Sequence, residues 1–258
     1  MYSVWYQSVL HRFSFPVVST EMALLFSVRT WGYHQVPASG GLLIIANHQS
    51  FLDPVLVGMA VRRRVVYLAR KTLFRNPFFR WLIKSYGAIP IDQEKPTTEG
   101  IRTAVELLRR GEGVVIFPEG ERTPHGQMLE LKPGVTLLVR RGQVPLLPVG
   151  IAGAFEVWPR HQLLPRLCPL WSRQPCSLRS RNSLTSADTP RASASTESHS
   201  VQMREAKPLR RGIAVVVGPP IPFESLRELG HEELLQRLTA VLREVWHQAE
   251  SRRLPCPH

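Results

Sequence analysis

Apolar and polar positions follow two rhythms along this chain. Short, β-branched apolar runs bounded by Gly or Pro lie at 42–46, 65–69, 88–91, 113–117 and 146–151, with a sixth at 213–218, and predict buried strands. Between them, residues 54–61, 76–86, 98–110 and 133–141 predict helices. The third of these places Ile101, Val105 and Leu108 on one face and stops at Gly111. A long amphipathic helix is expected over 224–251, with a break at Gly230. Strands alternating with helices predict an α/β domain with a mostly parallel central sheet flanked by helices. Such sheets hold ligands beyond the C-terminal ends of their strands.

Two stretches break the rhythm. Residues 1–33 carry Tyr2, Trp5, Tyr6, Phe13, Phe15, Phe26, Trp31 and Tyr33 among few charges. They fit equally a helical segment at a membrane interface and a pair of helices packed on the core. Residues 167–209 are dense in Ser, Arg, Pro and Thr without periodicity, and predict a disordered insertion. The expected organisation is therefore a leading helical segment, 1–33, and one α/β domain, 34–258, interrupted at about 167–209.

Composition adds charge to this picture. The chain has 258 residues, enough for one good core, and a net charge of +13. Residues 160–211 hold 10 Lys/Arg against 3 Asp/Glu, and residues 62–84 hold 8 Lys/Arg and no acid. Basic surface seeks phosphate on nucleic acid, anionic lipid or a phosphorylated substrate. In 62–84 the cations are interleaved with Phe74, Phe78, Phe79, Trp81 and Leu82, a mixture that suits single-stranded nucleic acid or a membrane face. The three cysteines, Cys168, Cys176 and Cys256, suggest a reducing compartment rather than a disulfide framework. The leading residues lack the pattern of a signal peptide, and no apolar run reaches the length of a membrane span.

Two polar motifs follow directly on strands. The first is Asn47-His48-Gln49-Ser50-Phe51-Leu52-Asp53-Pro54. A carboxylate five residues after a histidine can fold back to the imidazole, fix its tautomer and stabilise the imidazolium. Asp53 is equally suited to cap a helix that starts at Pro54, which would leave His48 an ordinary loop histidine. The second motif is Phe117-Pro118-Glu119-Gly120-Glu121-Arg122. Gly120 permits close backbone approach, Arg122 offers a planar fork to a phosphate, and Glu119 could hold a hydroxyl or organise Arg122.

With these motifs the chain resembles the glycerolipid acyltransferase family, which includes bacterial 1-acyl-glycerol-3-phosphate acyltransferase. His48-x-x-x-x-Asp53 matches the family's first motif and Phe117-Pro118-Glu119-Gly120 its third. Gly87-Ala88-Ile89-Pro90-Ile91-Asp92 stands where the second belongs, and Val144-Pro145-Leu146-Leu147-Pro148-Val149 resembles the fourth. Lys132-Pro133-Gly134 fits the Lys-x-Gly after the third motif, and Lys71-Thr72-Leu73-Phe74 resembles a segment lining the substrate site.

The resemblance implies direct acyl transfer without an acyl-enzyme. His48 acts as general base on the hydroxyl of a lysophospholipid, most simply 1-acyl-glycerol-3-phosphate, and Asp53 orients it. Asn47, Lys71, Glu119, Gly120, Arg122 and Lys132 line the substrate site, with Arg122 on the acceptor phosphate. The donor is acyl-CoA or acyl-carrier protein, and no metal or prosthetic cofactor is implied. The partners implied are anionic lipid and the membrane surface rather than nucleic acid, which places the protein at the cytoplasmic face as a peripheral or monotopic enzyme.

The chain departs from the family pattern twice. Gln93 stands where an Arg often helps bind the acceptor phosphate, and Glu121 stands where Thr commonly follows the Gly. Both changes make the phosphate site less positive. A different acceptor, or a non-catalytic lipid binder on the same fold, are the alternatives. A hydrolase lacks support because there is no Gly-x-Ser-x-Gly turn.

Overall fold

The computed structural model describes residues 16–70, 74–75, 80, 87–91, 98–162, 164–167 and 210–255. Its strands are β1 (Arg29–Trp31), β2 (Leu42–Ala46), β3 (Val65–Arg70), β4 (Ala88–Ile91), β5 (Gly113–Ile116), β6 (Leu146–Ala152), β7 (Arg210–Arg211), β8 (Ala214–Val217) and β9 (Leu254–Pro255). Its helices are α1 (residues 16–26), α2 (Asp53–Val61), α3 (Thr98–Arg109), α4 (Gly134–Gly142), α5 (Ala154–Val157) and α6 (His231–Arg252). Seven strands form one sheet in the order β1-β8-β6-β2-β5-β3-β4, while β7 and β9 make a separate antiparallel pair.

The sheet is mostly parallel, as expected. β6, β2, β5, β3 and β4 run the same way, and the parallel pair β1–β8 joins β6 in the opposite sense. Both faces are covered, so the central strands are apolar at every position rather than alternately. In β2, Leu42, Ile44 and Ala46 pack with α2 residues such as Leu56, Val57 and Ala60. Leu43 and Ile45 face the other way, into a cluster built by α3, α4 and α6. Gly150 of β6 lets α6 come close, since a Cβ there would lie 2.4 Å from the Val245 carbonyl.

The leading segment differs from its expected helical form. α1 ends at Phe26, which is buried, and Ser27 turns the chain at a φ of 52°. Arg29–Trp31 is then an edge strand paired with β8, so residues 27–31 belong to the sheet domain. The guanidinium groups of Arg29 and Arg252 lie 5.1 and 5.3 Å from the centroid of the Trp31 ring. No described helix is long and apolar enough to cross a membrane. The helix expected over 76–86 falls, apart from Arg80, outside the described residues, as do residues 1–15, all three cysteines and nearly all of the 167–209 insertion.

Candidate active site

β2 and β5 are neighbours in the sheet, so the two motifs that follow them meet at its C-terminal edge. His48 Nδ1 lies 2.7 Å from Asp53 Oδ2. Asp53 is fully buried, and the same oxygen accepts the main-chain amides of Gln49 at 2.6 Å and Ser50 at 2.7 Å. Sequence alone left Asp53 between orienter and helix cap, and the geometry separates the two. α2 begins at Asp53 itself with no side-chain cap, and the carboxylate turns back into the loop that carries His48. With Nδ1–H donated to Asp53, the lone pair of Nε2 is the free basic site of the imidazole. The ring stacks on Phe117 with centroids 4.2 Å apart and planes 19° from parallel.

Three further ties lace the two motifs together. The His48 amide donates to Glu119 Oε1 at 2.7 Å, the His48 carbonyl accepts the Thr123 amide at 2.9 Å, and Gln49 Nε2 donates to the Gly126 carbonyl at 3.0 Å. The other oxygen of Glu119 accepts the Leu129 amide at 2.8 Å. Only 2% of Glu119 is exposed, and both of its oxygens are engaged by main chain. Its geometry is thus that of a strut under His48 rather than of a substrate contact. Burial pushes its carboxyl up to about 7, against the opposing pull of the Leu129 and His48 amides and with the nearby Asp53 charge adding to the rise.

Asn47 is likewise buried, with its side-chain amide bonded to the main chain of Ile151 in β6, and it fastens the loop instead of facing a ligand. Gly120 adopts a φ of 77°, and a Cβ there would fall 2.7 to 2.9 Å from Cδ, Cε and Nζ of Lys132. The Lys132 side chain therefore runs over Gly120, held from behind by its own amide on the Pro118 carbonyl at 2.8 Å. Arg122 places its guanidinium 3.5 Å from the centroid of the Phe51 ring. His48, Asp53, Glu119, Gly120, Arg122 and Lys132 are thus brought to one edge of the sheet, whereas Lys71 and Gln93 lie outside the described residues.

Sequence reasoning passed over four residues at this edge. Phe117 sits at the end of a strand run and reads as core. Phe51 and Trp158 form an aromatic pair with centroids 5.2 Å apart, and Ser50 Oγ donates to the Trp158 carbonyl at 2.8 Å. Arg160, in the turn after α5, donates to Glu121 Oε2 at 3.2 Å and to the Arg122 carbonyl at 3.4 Å. Among the described residues no group of three His, Cys, Asp or Glu side chains is gathered for a metal ion.

The chain has known relatives. The sequence profile of the Acyltransferase family matches residues 27–152. The 1-acyl-sn-glycerol-3-phosphate acyltransferase of Bacillus subtilis is 30% identical over 145 residues, 56% of this chain and 72% of that protein. The enzyme of the same name from Streptococcus pneumoniae is 30% identical over 113 residues, which span 43% of this chain and 41% of that one. The crystal structure of the 1-acyl-sn-glycerophosphate (LPA) acyltransferase PlsC from Thermotoga maritima aligns with a TM-score of 0.65 at 18% identity, covering 95% of this chain and 80% of that one. At that identity the likeness speaks for the fold, while the sequence relatives carry the assignment further: the chain belongs to the acyltransferase family.

Proposed function

We propose that this protein transfers a fatty acyl group from acyl-CoA or acyl-carrier protein to the free hydroxyl of 1-acyl-glycerol-3-phosphate, giving phosphatidic acid. The observation that carries the reading is the 2.7 Å contact between His48 Nδ1 and Asp53 Oδ2, which leaves Nε2 to face an acceptor. Nε2 takes the hydroxyl proton as the oxygen attacks the thioester carbonyl. The C–S bond then breaks, and the proton passes to the departing thiolate. Asp53 stabilises the imidazolium between these events. A thioester is already activated, so positioning and a base account for most of what the enzyme must supply.

Arg122 and Lys132 bind the acceptor phosphate in this scheme, with Lys71 as a further cation, and Glu119 and Asn47 hold the loops in place. The names of the relatives from Bacillus subtilis and Streptococcus pneumoniae support the same acceptor. The enzyme works at the cytoplasmic face of a membrane, with the leading segment before β1 and the cations of 62–84 outside β3 toward anionic lipid. The test is purified protein, labelled acyl-CoA and a panel of lysophospholipids, with products read by mass spectrometry. Phosphatidic acid should dominate and should disappear with His48→Ala. Acylation of some other acceptor in its place would move the assignment within the family.

A further inference from the structure

Glu121 puts a carboxylate beside Arg122, where a phosphate-binding site would be expected to avoid one. Adjacent residues lie about 3.8 Å apart along the chain, well inside the ~8 Å over which salt at physiological strength screens a charge. Left alone, Glu121 would offset much of the attraction that Arg122 exerts on a phosphate. It is not left alone. Arg160 Nη1 lies 3.2 Å from Glu121 Oε2 and 3.4 Å from the Arg122 carbonyl. The turn that carries Arg160 is itself tied to the active-site loop. Ser50 Oγ donates to the Trp158 carbonyl at 2.8 Å, Trp158 Nε1 to the Gln162 carbonyl at 3.0 Å, and the Trp158 ring packs on Phe51, the residue under the Arg122 guanidinium.

We infer that Arg160 is a specificity-determining residue for the acceptor, acting by neutralising the Glu121 carboxylate, which would otherwise repel the phosphate of a lipid bound beside it. The turn after α5 then belongs to acceptor recognition, although it lies outside all four motifs. The acid that breaks the family pattern is matched here by a cation supplied from elsewhere in the chain. The inference rests on the proposed role of Arg122 at the acceptor phosphate.

The test is a kinetic cycle of wild type, Arg160→Gln, Glu121→Gln and the double variant, with Arg122→Gln measured alongside. Acceptor is presented in neutral-detergent micelles, so that attraction to an anionic surface plays no part. Both side chains of the pair are about half exposed, and melting temperatures should stay close to wild type. Arg160→Gln should raise the KM for 1-acyl-glycerol-3-phosphate by about 1.5- to fivefold, the range open to an exposed ion pair. The KM for acyl-CoA and kcat should hardly move, and a monoacylglycerol without phosphate should be used as before. In the Glu121→Gln background the same change should have little effect. An equal penalty in both backgrounds, or none in either, while Arg122→Gln still raises the acceptor KM, overturns the assignment of Arg160 alone. No effect of Arg122→Gln on that KM overturns the phosphate reading and the Arg160 assignment with it.

Discussion

The Asn47 side chain and the Ile151 main chain exchange two hydrogen bonds, Nδ2–H to the Ile151 carbonyl at 2.9 Å and the Ile151 amide to Oδ1 at 2.7 Å. A side chain one residue past the end of β2 thereby continues the pairing of β2 with β6, whose last matched residues are Ala46 and Val149. The residue before the base is fixed to the sheet rather than left in a free loop. Asn47→Asp keeps the size but turns an acceptor toward the Ile151 carbonyl. A buried, unmatched polar pair of this kind costs about 1–3 kcal/mol. The denaturant midpoint should fall accordingly with an unchanged m-value, and acyl transfer should fall with it. A wild-type midpoint would show that the exchange contributes nothing.

His48→Ala removes the base together with its stack on Phe117, from a side chain that is only 20% exposed. kcat should drop by roughly 10²–10⁴-fold, a far larger loss than the modest fall in melting temperature can account for. Asp53→Asn retains an acceptor oxygen for the Gln49 and Ser50 amides but loses the charge that holds the imidazolium. Its kcat should fall by a similar or smaller factor while α2 remains folded. Full turnover in Asp53→Asn would reduce Asp53 to a loop clip.

Glu119 gives stability a dependence on pH. Its carboxyl titrates near 7 in the folded chain, against an ordinary value of 4.5, because burial disfavours the anion. The folded protein therefore binds more protons than the unfolded one between those values. This contribution is fully present below about 4.5 and is lost as pH rises to about 7. Glu119→Gln leaves one of the two amides without an acceptor, so it should be less stable than wild type in acid. The gap should narrow as the pH rises through that window, as read from melting temperatures on the two proteins. A gap that widens instead would contradict a raised carboxyl.

Gly120→Ala tests the approach of Lys132. The φ of 77° disfavours any side chain, and the new methyl would displace the Lys132 stem. Backbone strain of about 1–2 kcal/mol should lower the melting temperature. The KM for a phosphate-bearing acceptor should rise several-fold while that for acyl-CoA changes little. Equal changes in both would place Lys132 away from the acceptor.

The central strands were legible because strands buried on both faces read as unbroken apolar runs. Leu42–Ala46 and Ala88–Ile91 appear with the limits the pattern predicts. Arg29–Trp31 was not legible. Three residues, one charged and one aromatic, carry no strand signal, and they owe their conformation to β8, far along the chain. His48 and Asp53 could be paired from their spacing, but not the reversal of the Asp53 carboxylate away from the helix it opens. Glu119 looks like a ligand in sequence because carboxylates usually face water, and only its burial between two amides reveals a strut. Composition groups Arg160 with the basic insertion, and its place beside Glu121 exists only once α5 and its turn are folded.

The order of the strands also dictates when the sheet can close. β2, β3, β4, β5 and β6 are neighbours among themselves, so a nascent chain can assemble them once Ala152 has been made. β1 touches the sheet only through β8, and β8 is inserted between β1 and β6. Arg29–Trp31, made well before its partner strand, must wait for Ala214–Val217. Until then Leu146–Ala152 presents an apolar strand with one unpaired side, a template on which another chain can add. While residues 153–213 are being made this edge of β6 stays open, for a time set by the length of the segment between β6 and β8.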